Sequence, residues 1–272
     1  MGGDARWTAK ASALAFALTL PAAALAEDIR IAYDLYAGGF RVGVVESSAT
    51  LSDDAYDAKS AFRTEGTLAD LFPVTFLFAA HGARDGGTLR PARYDSQFIG
   101  FEGDPEQDAL YDEAGAHPIA VMPDWTGMKG PEVALGRALS LDPVTRVIEA
   151  VLHDGAPCPR RIDVFDGIRA YRLDLKLIGA DHVEPYEGSV FDGDAMLCSW
   201  RYELLAAQEG DWAKSYFGET PPEGEIWFAR DGAGRFTIPV KLIAHTPVVD
   251  AVMHLMRAES AGAPLFPPPS EP

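Results

Sequence analysis

From residue 28 onward most of the chain alternates apolar and polar side chains with a period of two, a pattern that commits the backbone to half-buried β-strands. In DIRIAYDLY (28–36), Ile29, Ile31, Tyr33 and Leu35 share one face, while Arg30, Asp34 and Tyr36 share the other. In RAYRLDLKLI (169–178), Tyr171, Leu173, Leu175 and Leu177 oppose Arg172, Asp174 and Lys176. The same reading gives strands at 40–50, 55–64, 73–82, 88–98, 108–113, 198–207, 224–230, 234–244 and 248–259. Pro91 and Pro239 fall inside two of these, which places them at edges, bulges or strand starts, because proline cannot donate to a ladder. Gly38-Gly39, Asp166-Gly167 and Asp231-Gly232 stand between apolar flanks and supply the positive φ angles of tight hairpin loops. Consecutive antiparallel strands follow, rather than βαβ units.

One helix interrupts the strands. Asp142 can cap it, Pro143 suits the first helical position, and Val144, Val147, Ile148, Val151 and Leu152 form a stripe that should face the sheet. A shorter helical turn is expected at TLADLF (67–72), a loop at 123–132 and a disordered tail at 261–272. The fold class is mainly β, with a single domain over 27–260.

The N-terminus carries Arg6 and Lys10, then the uncharged apolar run 11–20, then PAAALA ending at Ala26. That is the layout of a cleavable export signal, with the cut expected between Ala26 and Glu27. The apolar run is about half of the roughly 20 residues that span a bilayer, so it is an address and not an anchor. No cysteine follows the cut and no arginine pair precedes the run, which argues against lipid modification and the twin-arginine route. The expected destination is the periplasm. Lys and Arg number 23 against 41 Asp and Glu, a net charge of −18, which argues against nucleic acid and against charge-driven binding to anionic lipid. The chain has two cysteines, Cys158 and Cys198, both in the exported part; in an oxidising compartment an even count points to a bridge.

YDLYAGGFRVG (33–43), LDPVTRVIEAVL (141–152), CPRRIDVFDGIRAYRLDL (158–175), CSWRYELLA (198–206) and IWFARDGAGRFTIPVKLIAHTPV (226–248) occur in an order that resembles the exported bacterial family called domain of unknown function 3108. The resemblance implies a periplasmic β-rich domain with a Cys158–Cys198 disulfide. It also implies a single curved antiparallel sheet or partly open barrel with one packed helix, similar to periplasmic lipoprotein carriers. It brings no reaction and no catalytic residues.

The residues themselves offer no catalytic pattern. H-E-x-x-H, G-x-S-x-G and the P-loop are absent, and His81, His117, His153, His182, His245 and His254 are scattered without ligand spacing, so no metal and no cofactor is expected. The glycines of AGGFRVG lie between strands and read as a hairpin, with no helix N-terminus to receive a phosphate. Asp192 with Asp194, and Glu184 with Glu187, are the carboxylate pairs a hydrolase could use, in a chain where acidic neighbours are common. Asp166 is explained by its turn. Aromatic residues give the more physical lead. Tyr33, Phe62, Phe76, Phe78, Tyr171, Tyr202 and Phe228 sit on strands where they could line the concave side of a curved sheet, or simply fill it. The expectation is a non-enzymatic envelope protein that binds an apolar small molecule, lipid or lipidated protein, with no nucleic-acid partner and no membrane anchor. The alternatives are an interaction protein that accepts a partner strand at a sheet edge, and a hydrolase with an unfamiliar site.

Overall fold

The computed structural model describes residues 26–100, 106–113, 118–122, 141–153, 155–167, 169–207, 221–246 and 249–268. The expected export signal and the loop at 123–132 lie outside these residues. Strands β1 (Glu27–Ala37), β2 (Phe40–Leu51), β3 (Ala55–Thr64), β4 (Thr75–Asp85), β5 (Thr88–Ile99), β6 (Glu106–Tyr111) and β7 (Pro118–Met122) form one meander, with the short helix α1 (Gly66–Leu71) between β3 and β4. Helix α2 (Pro143–Leu152) precedes a second meander of β8 (Arg160–Phe165), β9 (Arg169–Val183), β10 (Gly193–Ala207), β11 (Glu223–Arg230), β12 (Thr237–His245) and β13 (Ala251–Ser260), with β14 (Ala263–Pro264) on β13. All pair antiparallel in a single 14-stranded sheet of order β7-β6-β5-β4-β3-β2-β1-β13-β12-β11-β10-β9-β8. The meanders join where β1 meets β13, Tyr33 opposite Leu255. Pro91 and Pro239 both fall at register shifts, where the missing N–H breaks no regular ladder.

The sheet wraps around α2. The helix packs against β3, β4 and β5 near one end of the path and against β8 and β12 in the other half. Small side chains make room for it: Ala58, Ala80 and Ala109 share the buried core with Val144, Ile148 and Val151. Asp142 caps the helix as its sequence suggested, one carboxylate oxygen accepting from Thr145 N at 2.8 Å and the other from Thr145 Oγ1 at 2.7 Å. Because the Thr145 hydroxyl donates to Asp142, the Tyr56 hydroxyl at 2.7 Å donates to Thr145, tying the helix to β3.

Four local expectations change. Val147 is 56% exposed and Thr145 fully buried, because the Tyr56–Thr145–Asp142 chain rotates the buried stripe toward the threonine. In the β8–β9 turn Gly167 takes the positive φ, and Asp166 instead accepts from the backbone N of Arg169 at 2.7 Å. Around Asp231-Gly232 the loop runs on to Phe236, with the Asp231 carboxylate accepting from the N–H of Arg235 and of Phe236. The segment expected as a disordered tail is in part ordered against the sheet. Ala263 and Pro264 pair with β13, and Leu265 and Phe266 are buried, Phe266 edge-on to Phe191 at 5.0 Å. Two apolar side chains outweigh the prolines around them. Residues 269–272 lie outside the described range.

Candidate functional site

Strand register sorts the face of β2–β5 that carries α2 into successive rows. Nearest the helix, Ala49, Ala58, Ala80 and Tyr94 stand side by side. The next row is Ser47, Ser60, Phe78 and Ser96, with Gln107 beyond it on β6. The row after that is Val45, Phe62, Phe76 and Phe98. Alternation along each strand puts all three rows on one face. In the aromatic row Phe62 and Phe76 lie 5.3 Å apart and Phe76 and Phe98 5.2 Å, while Phe78 in the row below is edge-on to Phe98 at 6.0 Å. The four phenylalanines are half-buried, in contrast to the filled core around α2. Gly43 is needed beneath them: a Cβ there would sit 2.7 Å from the Phe62 ring and 2.6 Å from the Arg63 carbonyl. In the serine row Ser47 and Ser60 share a hydrogen bond of 2.9 Å. Ser96 Oγ and the Tyr94 hydroxyl are buried and make no well-formed hydrogen bond.

The other aromatic candidates go elsewhere. Tyr33 is part of the packed core, donating to the Pro239 carbonyl at 2.9 Å, and burial pushes its hydroxyl well above the usual tyrosine range. Tyr171 and Tyr202 stack on each other at 5.0 Å, and burial likewise pushes the Tyr171 hydroxyl up. Phe228 packs with Cys158, Cys198 and Leu175 in a separate small core built on the disulfide, whose Cα atoms are 6.4 Å apart. The structure thus brings Phe62, Phe76 and Phe78 together and separates them from Tyr33 and Phe228. Phe98, absent from the sequence-derived set, completes the cluster; it follows Tyr94 and Ser96 in the period-two phase of its own strand.

A groove of about 710 Å³ lies mainly over the opposite, polar face of the same strands, and of the seven candidates Phe78 alone lines it. Lys59, Arg30 and Arg257 stand on one side and Asp95, Asp108 and Glu106 on the other. Arg93 bridges Asp95 at 2.6 Å and Asp108 at 3.1 Å. The lining of the groove is mixed in charge.

The two carboxylate pairs are placed differently. Asp192 and Asp194 clasp the His182 ring from both sides, at 3.3 and 3.1 Å, and the bond to Asp194 chiefly raises the imidazole above its ordinary value. Both ring nitrogens are occupied in this way. Glu184 and Glu187 are exposed. His245 is held similarly, by Glu225 at 2.9 Å and Asp250 at 3.1 Å, and its imidazole is also raised, chiefly by the Asp250 bond. Among the described residues no group of three His, Cys, Asp or Glu could hold a metal ion. Among them, too, no helix is long and apolar enough to cross a membrane.

No curated protein matches the chain. Among solved structures, the crystal structure of a beta-barrel-like protein of domain of unknown function DUF1849 from Brucella abortus is similar at 11% identity and a TM-score of 0.46. The match covers 88% of this chain and 99% of that one. The order of motifs from the first strand to the last is matched by a family model over residues 32–256, and the chain therefore belongs to the family described as Protein of unknown function (DUF3108).

Proposed function

We propose that this is a periplasmic envelope protein that binds an apolar group, such as a lipid acyl chain, against Phe62, Phe76, Phe78 and Phe98, and that it catalyses no reaction. The observation that carries this reading is the contrast along one face of the sheet. At the α2 end the rows are filled by helix and alanine, whereas the phenylalanine row is only half-buried and offers contiguous aromatic surface. Such a wall fits an apolar ligand and gives it few polar groups to satisfy. The disulfide is consistent with an exported protein. Addition of a partner strand is the competing reading. It is weakened at β8, where Phe165 N already donates to the Leu141 carbonyl and Arg146 Nε to the Asp163 carbonyl.

The test uses the mature protein, native mass spectrometry with lipid extraction, and titration with a fluorescent fatty acid. The expected result is saturable uptake that falls at least about tenfold when Phe76 and Phe98 are both replaced by serine. Circular dichroism and the unfolding midpoint check that the variant is folded. A clean apo mass together with no uptake by the unsubstituted protein refutes the proposal.

A further inference from the structure

Among the described residues the three most exposed large apolar side chains are Phe40 at 76%, Leu71 at 68% and Phe72 at 64%. All three stand at one end of the sheet, the end toward which the rows run from alanine to serine to phenylalanine. Phe40 opens β2 just after the Gly38-Gly39 turn, and Leu71 and Phe72 close α1. Ile99, at the end of β5, adds a further exposed side chain beside them, since Gly100 abuts the Pro73 carbonyl. The two tips are fixed to one another and to the sheet. Glu65 N donates to the Val42 carbonyl at 2.9 Å, Arg41 bridges to Glu65, and the Thr64 hydroxyl donates to the Phe72 carbonyl at 2.9 Å. No residue of α1 is buried, so the helix does not serve the core.

We infer that this rim docks the protein on the surface of an electrically neutral lipid bilayer, with Phe40, Leu71 and Phe72 entering the headgroup boundary. This rests on the proposed apolar-ligand site in one respect, that the rim stands at the end of the sheet toward which the phenylalanine row lies. Charge and shape choose the occupant. The cations at the rim are already neutralised, Arg41 by Asp34 at 2.8 Å and Arg63 by Glu46 at 2.9 Å, so they offer nothing to anionic headgroups. Asp70 is exposed on α1, and the whole chain carries a charge of −18; both repel anionic lipid. Two narrow apolar tips, separated by paired charges, suit insertion between headgroups rather than the flat patch of a protein interface. The exposed Asp70 limits that insertion to the boundary.

The experiment is flotation of the mature protein with vesicles of phosphatidylcholine and phosphatidylethanolamine, and with vesicles enriched in phosphatidylglycerol. The expected result is binding to the neutral vesicles, weaker binding to the anionic ones, and a loss of at least about tenfold when Phe40, Leu71 and Phe72 are replaced together by serine. The control Leu177→Ser with Ile178→Ser, also exposed but on β9, leaves binding unchanged. Absence of co-flotation, binding restricted to anionic vesicles, or an equal loss in the control overturns the inference. So does light scattering that shows a dimer which the rim substitution dissolves. Fatty-acid uptake by the rim variant is measured alongside. Uptake that persists when vesicle binding is lost separates the docking surface from the ligand site, and vesicle binding without uptake refutes the ligand site alone.

Discussion

Replacing Asp142 by asparagine should make the protein more stable at neutral pH, although Asp142 caps the central helix. Its carboxylate is fully buried, and burial raises its pKa from the ordinary 3.8 to about 6 against the opposing hydrogen bonds from Thr145. A shift of roughly two units corresponds to about 3 kcal/mol by which ionised Asp142 disfavours the folded state. The sign follows from the folded pKa lying above the unfolded one. The penalty is complete above about pH 6 and is relieved as pH falls through 6 toward 3.8, because the folded state takes up the proton more readily. Asparagine caps helices as well as aspartate does. Its amide can also reverse the hydrogen-bond chain, donating to Thr145 Oγ1, which then donates to the Tyr56 hydroxyl. The assay is urea denaturation of both proteins from pH 8 to pH 4. The expected outcome is an Asp142→Asn advantage approaching about 3 kcal/mol at pH 8 that shrinks toward pH 4. His182 and His245, raised by their carboxylate partners, also favour the folded state as pH falls, but both proteins share them and the difference cancels. A difference that stays flat across this range, or grows toward acid, refutes the account of the buried network.

Two further outcomes follow from packing. Replacing Cys158 and Cys198 together by alanine opens a loop of sequence separation 40 and should cost about 4 kcal/mol, read as a lower urea midpoint; an unchanged midpoint refutes a stabilising bridge. Phe266→Ala should cost about 3 kcal/mol, because the ring is buried against Phe191; an effect under about 0.5 kcal/mol would mean that the C-terminal segment does not pack as described.

The strands were legible because period-two alternation is a local property, and the same is true of the α2 cap, whose Asp-Pro start is written in adjacent residues. Even the prolines at 91 and 239 could be placed, since a missing N–H has few tolerable positions. What escaped was non-local. Thr145 looks like the polar face of α2 until Tyr56, 89 positions away, is seen to donate to it. Leu265 and Phe266 sit among prolines and glycine that suggest disorder, and only the pairing of Ala263 and Pro264 with β13 brings them inside. The candidate aromatics divided for a related reason. Alternation assigns each to a face of its own strand, but register shifts at Leu197/Cys198 and at Trp227/Phe228 re-phase the neighbours of Phe228, which went to the disulfide core. Phe62, Phe76 and Phe98 stayed together because β2 to β5 pair without a shift through those positions.

Among the described residues no ladder joins β7 to β8, so the two ends of the sheet meet without a main-chain seam. They are spanned instead by α2, by the Phe165–Leu141 bond, and by the β8–β9 turn, where Gly167 lies against the Gln107 side chain. A closed barrel fixes its girth through strand number and shear, and widening it means breaking backbone pairs in a row. Here the two ends are linked through a ten-residue helix, with the Phe165–Leu141 main-chain bond and side-chain contacts as the links. The size of the interior is a matter of how tightly one helix is gripped, and so of the alanines that grip it.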